Sequence, residues 1–129
     1  MTVFPLPRHI VEDAVRRALA EDLGGAGDLT SLATLKPGTE GRYELRARKT
    51  GVLCGLEAAL ETFRQCDPDL RVDVRLGDGA ALEKDTIVLS VEGRVQPILT
   101  AERTALNFLG RMSGIATLTA QYAKAVEGT

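Results

Sequence analysis

The chain has 129 residues, 44% of them hydrophobic and 26% charged, with 13 glycines, 5 prolines and 4% aromatics. This composition excludes disorder, a collagen-like fibre and a transmembrane span, and at this length an ordinary core forms without disulfide or metal staples. Sixteen Lys and Arg stand against 18 Asp and Glu, a net charge of −2, which speaks against a nucleic-acid partner and leaves room for a local basic face aimed at a small anion.

Behind Pro5 and Pro7, the residues Ile10, Val11, Ala14, Val15, Ala18 and Leu19 recur at helical spacing with charged residues between them, which predicts an amphipathic helix. Gly24-Gly25-Ala26-Gly27 ends it, and Asp28-Leu29-Thr30-Ser31 reads as a polar turn. From Arg42, the residues Tyr43, Leu45 and Ala47 alternate with Arg42, Glu44, Arg46 and Arg48, the period of a half-buried strand. Thr50-Gly51 punctuates it, and Val52-Leu53-Cys54 leads through Gly55 into a second helix, which carries Leu56, Ala59, Leu60 and Phe63 and stops after Cys66 at Asp67-Pro68-Asp69. Val72, Val74 and Leu76 alternate into the turn Gly77-Asp78-Gly79, and another strand runs from Thr86 through Ile87, Leu89 and Val91 to Glu92-Gly93. Beyond Pro97, a stripe of Ala101, Ala105, Leu106, Leu109 and Met112 is interrupted at Ser113-Gly114 and resumed by Ile115, Leu118, Tyr122 and Val126, giving two helices or one kinked helix. The order predicts an α+β domain rather than a βαβ nucleotide fold. The last helix is apolar enough to want a partner surface, so the chain reads either as continuing further or as a complete small protein.

Few constellations carry chemistry. The glycines at 24–27 follow a helix instead of a strand, so they read as a stop and not as a phosphate loop. His9 is the sole histidine and reads as a solvated or capping residue. Ser31, Ser90 and Ser113 sit in no nucleophile elbow. Cys54 and Cys66 have neither zinc spacing nor a neighbouring base, and read as small core residues of a reducing cytosol. Asp67 with Asp69, Glu83 with Asp85, and Glu57 with Glu61 all read as solvated carboxylates. The run Arg42, Arg46, Arg48, Lys49 is either the wet side of a strand or an electropositive wall that draws in an anion. Glu102, Arg103 and Asn107 place a carboxylate, a guanidinium and an amide in the first two turns of an apolar helix. There Glu102 and Arg103 form either a charge pair or part of a carboxylate-gripping site.

Three separated stretches resemble a known family. They are Glu21-Asp22-Leu23-Gly24-Gly25-Ala26-Gly27-Asp28-Leu29-Thr30-Ser31, Gly51-Val52-Leu53-Cys54-Gly55-Leu56, and Glu102-Arg103-Thr104-Ala105-Leu106-Asn107-Phe108-Leu109 followed by Ser113-Gly114-Ile115-Ala116-Thr117. Together they look like the N-terminal domain of the quinolinate phosphoribosyltransferase family, also called nicotinate-nucleotide pyrophosphorylase (carboxylating). A molybdenum-transport-associated branch shares part of the pattern. The resemblance implies an α/β hammerhead-like N-terminal domain over residues 1–112, with 113–129 starting the connection to a C-terminal α/β barrel absent from this chain. It implies an enzyme of de novo NAD synthesis that converts quinolinate and 5-phosphoribosyl 1-pyrophosphate to nicotinate mononucleotide, pyrophosphate and CO2.

In site terms, the resemblance implies that Arg103 binds quinolinate in the neighbouring subunit's site of a homodimer, with Glu102 and Asn107 orienting it. The resemblance further implies that no catalytic and no metal-binding residue falls within this chain, that Mg2+ is held by the absent barrel, and that the 129 residues alone are inactive. The implied location is cytoplasmic, with no nucleic acid and no membrane as partner. The rival readings are a biotinyl or lipoyl carrier with its modified lysine at Lys84, and a relative that acts on another base such as nicotinate.

Overall fold

Pro7 sets up the first helix: its carbonyl accepts the amides of Ile10 (3.0 Å) and Val11 (3.3 Å), and its own missing N–H costs nothing at a helix start. In the computed structural model, which describes residues 7–23 and 38–127, helix α1 runs Arg8–Leu23. Its predicted apolar stripe buries Val11, Val15 and Leu19 against Ala58. The glycine stop at 24–27 and the turn at 28–31 lie outside the described residues.

The alternating segment forms β1 (Glu40–Arg46), and β2 (Gly51–Val52) follows. Helix α2 (Leu56–Cys66) is capped from a distance, because the Asp78 carboxylate accepts the Leu56 amide at 3.0 Å. The turn Gly77-Asp78-Gly79 therefore also serves as a helix cap. Then come β3 (Arg71–Val74), β4 (Ala81–Leu82), β5 (Ile87–Arg94) and helix α3 (Val95–Glu127). Strand β4 has no counterpart in the sequence reading, since two residues are too few to show a period.

Strands β1, β5 and β3 form an antiparallel sheet with β5 in the middle, and β2 pairs with β4 in a two-residue ladder. The register sets Leu45, Leu89 and Val74 in one row and Tyr43, Val91 and Val72 in the next. This face, with α2 and α3 laid against it, closes a core of Leu45, Leu53, Phe63, Val88, Leu89, Val91 and Ile98. The element order and the sheet make an α+β domain, as the sequence predicts.

The last helix differs from expectation twice. It starts at Val95, ahead of Pro97; the proline occupies the first turn, where an amide has no intrahelical acceptor to lose. It also runs unbroken for 33 residues through Ser113-Gly114. A glycine costs a helix only about 1 kcal/mol, and the Ser113 hydroxyl is engaged elsewhere, accepting the Cys54 amide (2.9 Å) and donating to the Cys54 carbonyl (3.0 Å).

Two carboxylates read as solvated are buried instead. Glu61, 2% exposed, accepts from Arg8 Nη2 (2.8 Å), Arg64 Nε (2.7 Å) and Gln65 Nε2 (2.7 Å), which bolts α1 to α2. The Arg64 hydrogen bond outweighs burial and holds the Glu61 carboxyl below its ordinary range. Asp67, 3% exposed, accepts the Asp69 amide (3.0 Å) and both Nε (3.1 Å) and Nη2 (2.9 Å) of Arg94. Those bonds, the amide first, lower its carboxyl as well. The two cysteines are free and half-buried, not fully internal; burial and then Asp67 push the Cys66 thiol up to about 11.

Candidate functional site

Strand β1 ends in an irregularity: its register with β5 shifts between Leu45 and Arg46, a device that re-aims the residues that follow. Ala47 still bonds Thr86 (2.9 Å) and Asp85 (2.8 Å), and residues 48–50 then bend away. Strand β2 is held to α3 by hydroxyls. The Val52 amide donates to Thr117 Oγ1 at 2.9 Å, and the Thr117 hydroxyl donates to the Ser113 carbonyl at 2.7 Å. Gly51 admits this approach, because a Cβ there would lie 2.6 Å from Thr117 Oγ1. Thus the motif at 51–56 and the motif at 113–117 are two sides of one contact.

The bend, β2 and α3 enclose an open groove of about 750 Å³. Buried Leu45, Leu53, Val88 and Leu109 form its floor. Arg46, Arg48, Lys49, Arg103 and Asn107 line its sides, and among the described residues no Asp or Glu does, in a chain with an acidic excess. Arg46 is engaged with Glu44 (3.2 Å) and with the Asp85 carbonyl (3.1 Å). Among the described residues, eight of the twelve arginines are ion-paired. Among the described residues, Arg48, Lys49 and Arg103 are not.

Arg103 is exposed, and Asn107 follows one turn later on the same groove wall. Because α3 starts at Val95, these residues stand beyond its first two turns. Glu102 is half-buried and lies outside the groove. The charge pair of Glu102 with Arg103 does not form, since adjacent helical residues diverge by about 100°. Of the basic run, Arg42 falls outside the groove, while Arg48 and Lys49 fall inside. His9 is exposed on α1, also outside it. Sequence reasoning missed Ser113, Thr117 and Gln121 as groove residues; the spacing of Ser113 and Thr117, one helical turn, was the available signal, and Gln121 had none.

Guanidinium, amide and ammonium groups over an apolar floor suit a planar anion. Among the described residues there is no cluster of three His, Cys, Asp or Glu able to hold a metal ion, and no helix is long and apolar enough to cross a membrane.

A family model described as quinolinate phosphoribosyl transferase, N-terminal domain, matches residues 28–113. The chain belongs to this family. It is 37% identical to quinolinate phosphoribosyltransferase (decarboxylating) 2b, mitochondrial, of Nicotiana tabacum, over 92% of this chain and 34% of that protein. It is 40% identical to nicotinate-nucleotide pyrophosphorylase (carboxylating) of Mycobacterium leprae, over 91% of this chain and 42% of that protein. NadC from Streptococcus pyogenes superposes with a TM-score of 0.85 at 33% identity, covering 93% of this chain and 43% of that one. The nicotinate-nucleotide pyrophosphorylase from Francisella tularensis gives 0.87 at 31% identity, covering 96% and 43%. The chain therefore has the fold of this family's N-terminal domain and spans well under half the length of these relatives. The carrier reading built on Lys84 is set aside.

Proposed function

We propose that the chain is the N-terminal part of a quinolinate phosphoribosyltransferase, an enzyme that joins quinolinate to 5-phosphoribosyl 1-pyrophosphate and releases pyrophosphate and CO2 to form nicotinate mononucleotide. The observation that carries this reading is Arg103: a guanidinium with no ion pair among the described residues, in a groove that no described Asp or Glu lines, on a chain of this family. A guanidinium keeps its charge and grips a planar carboxylate with two parallel hydrogen bonds. Arg103 takes a quinolinate carboxylate, Asn107 supplies an amide one turn along, and Glu102 acts only as a positioning residue on the adjoining helix face.

Among the described residues the groove holds no Asp, Glu, His or Cys and no metal-holding cluster; in this reading the rest of the site is supplied by a C-terminal barrel, in a homodimer whose N-terminal domain covers the neighbouring subunit's active site. Mg2+ assists departure of pyrophosphate in such a reaction. The residues described here do not fit that ion, because the groove offers it no carboxylate, so this chain's derived share is anion binding alone. An N-terminal domain over 1–112 and a connection from 113 imply that the connection is the continuation of α3, since that helix crosses the boundary unbroken. A cytosolic location accords with two free thiols.

The test is turnover. A catalytically complete form of the protein, given phosphoribosyl pyrophosphate and Mg2+, is expected to consume quinolinate and leave nicotinate untouched, while the 129-residue chain alone consumes neither. Consumption of nicotinate in place of quinolinate contradicts the substrate assignment and favours a relative acting on another base.

A further inference from the structure

We infer that Arg48 and Lys49 form an anion-capture wall that draws the dicarboxylate into the groove where Arg103 holds it. The inference rests on the Arg103 reading and adds a role for residues outside the three matching motifs. The exposed side of the sheet shows what a merely solvated basic face looks like in this protein: Arg46 is paired with Glu44 (3.2 Å), Arg71 with Glu92 (3.5 Å) and Arg75 with Asp73 (2.9 Å). Those three charges are compensated pair by pair; Arg42, on the same face, has no ion pair among the described residues but lies outside the groove. Arg48 and Lys49, carried past the end of β1 by its irregular register, have no such partner among the described residues.

Their surroundings reinforce the difference. No acidic side chain among the described residues lines the groove they share with Arg103; Asp85, whose backbone amide bonds the Ala47 carbonyl, lies outside it. The apolar floor of Leu45, Leu53, Val88 and Leu109 is a low-dielectric wall, which focuses field lines toward the opening and raises the local concentration of an anion. A dianion gains more than a monoanion of its size, because attraction scales with charge, and it gains where the wall and Arg103 share one groove. Quinolinate and phosphoribosyl pyrophosphate are both compact polyanions; the wall serves the one that Arg103 binds.

The experiment measures kcat/KM in a catalytically complete form across ionic strength, varying each substrate with the other saturating. Arg48→Ala/Lys49→Ala is expected to lower kcat/KM for quinolinate about tenfold at low salt. The loss falls on KM with kcat retained, and the gap closes as the Debye length shrinks to about 3 Å near 1 M salt. The charge-preserving pair Arg48→Lys/Lys49→Arg restores the wild-type salt slope, and the phosphoribosyl pyrophosphate arm is unchanged. Both residues are exposed, so unchanged melting of the variants separates capture from folding. An unaltered salt slope, or a loss confined to the phosphoribosyl pyrophosphate arm, overturns the capture wall while leaving Arg103 in place. Absence of quinolinate turnover by the wild type overturns both.

Discussion

Replacing Gly55 with alanine tests the close approach of the link between β2 and α2 to helix α3. Gly55 has φ 97°, a left-handed conformation that costs an L-residue about 1–2 kcal/mol. The added Cβ would also lie 3.0 Å from Met112 Sδ, 3.2 Å from Met112 Cβ and 3.1 Å from the Phe108 carbonyl oxygen. The methionine tip can retreat, but the carbonyl belongs to α3 and can yield only if the helix moves, which adds about 1–2 kcal/mol. The sum, about 2–4 kcal/mol, corresponds to a fall in Tm of roughly 8–15 °C for a domain of this size. Gly114→Ala is the control: nothing lies within 4 Å of its added Cβ, its backbone is helical, and alanine there is expected to stabilise by up to about 1 kcal/mol. Urea unfolding of the two variants should move the midpoint in opposite directions. A Gly55→Ala loss under about 0.5 kcal/mol, the range of an ordinary surface substitution, refutes the argument.

Other expectations concern the polar ties. The folded-state carboxyls of Glu61 and Asp67 are both lowered, so their stabilisation is present above the ordinary unfolded values near pH 4 and is lost as pH falls below them toward the folded values. Melting temperature should therefore drop between about pH 5 and pH 3, and Glu61→Gln should flatten that drop. At neutral pH the same variant should cost about 1–2 kcal/mol by urea unfolding, a loss kept modest because Arg8 and Arg64 stand largely in solvent; no loss would remove Glu61 as the tie between α1 and α2. Thr117→Val strips the acceptor from the Val52 amide without changing shape much, and should cost about 1–2 kcal/mol while speeding hydrogen exchange at Val52. Unaltered exchange there would show that the latch contributes nothing.

Period and punctuation made the helices and the longer strands legible in the sequence. The bounds of α2 coincide with its apolar spacing and its Asp-Pro stop, and the alternation from Arg42 onward lies on β1. What stayed hidden depended on partners far along the chain. Glu61 and Asp67 looked solvated because Arg8 and Arg94 stand 53 and 27 residues away, and no local pattern marks a carboxylate that will meet them. The Ser113-Gly114 pair looked like a helix break because propensity counts against it; the hydroxyl bonds to Cys54 that occupy Ser113 exist only once α3 and β2 meet. For the site, Arg103 and Asn107 were visible as polar residues on an apolar helix. The separation of Arg46, Arg48 and Lys49, which line the groove, from Arg42, which does not, was not, because the register shift at the end of β1 leaves no trace in the alternation.

The most direct measurement is the steady-state kinetics of Arg103→Ala in a catalytically complete form of the protein. The account predicts a fall in kcat/KM for quinolinate of about 30- to 1,000-fold, equivalent to the 2–4 kcal/mol expected when one partner of a bound charge pair is removed. Arg103→Lys should recover only part of it, because the ammonium cannot reproduce the two-pronged grip, and the melting of the domain should be unchanged. Wild-type kinetics in Arg103→Ala would contradict the account and move the substrate away from this groove.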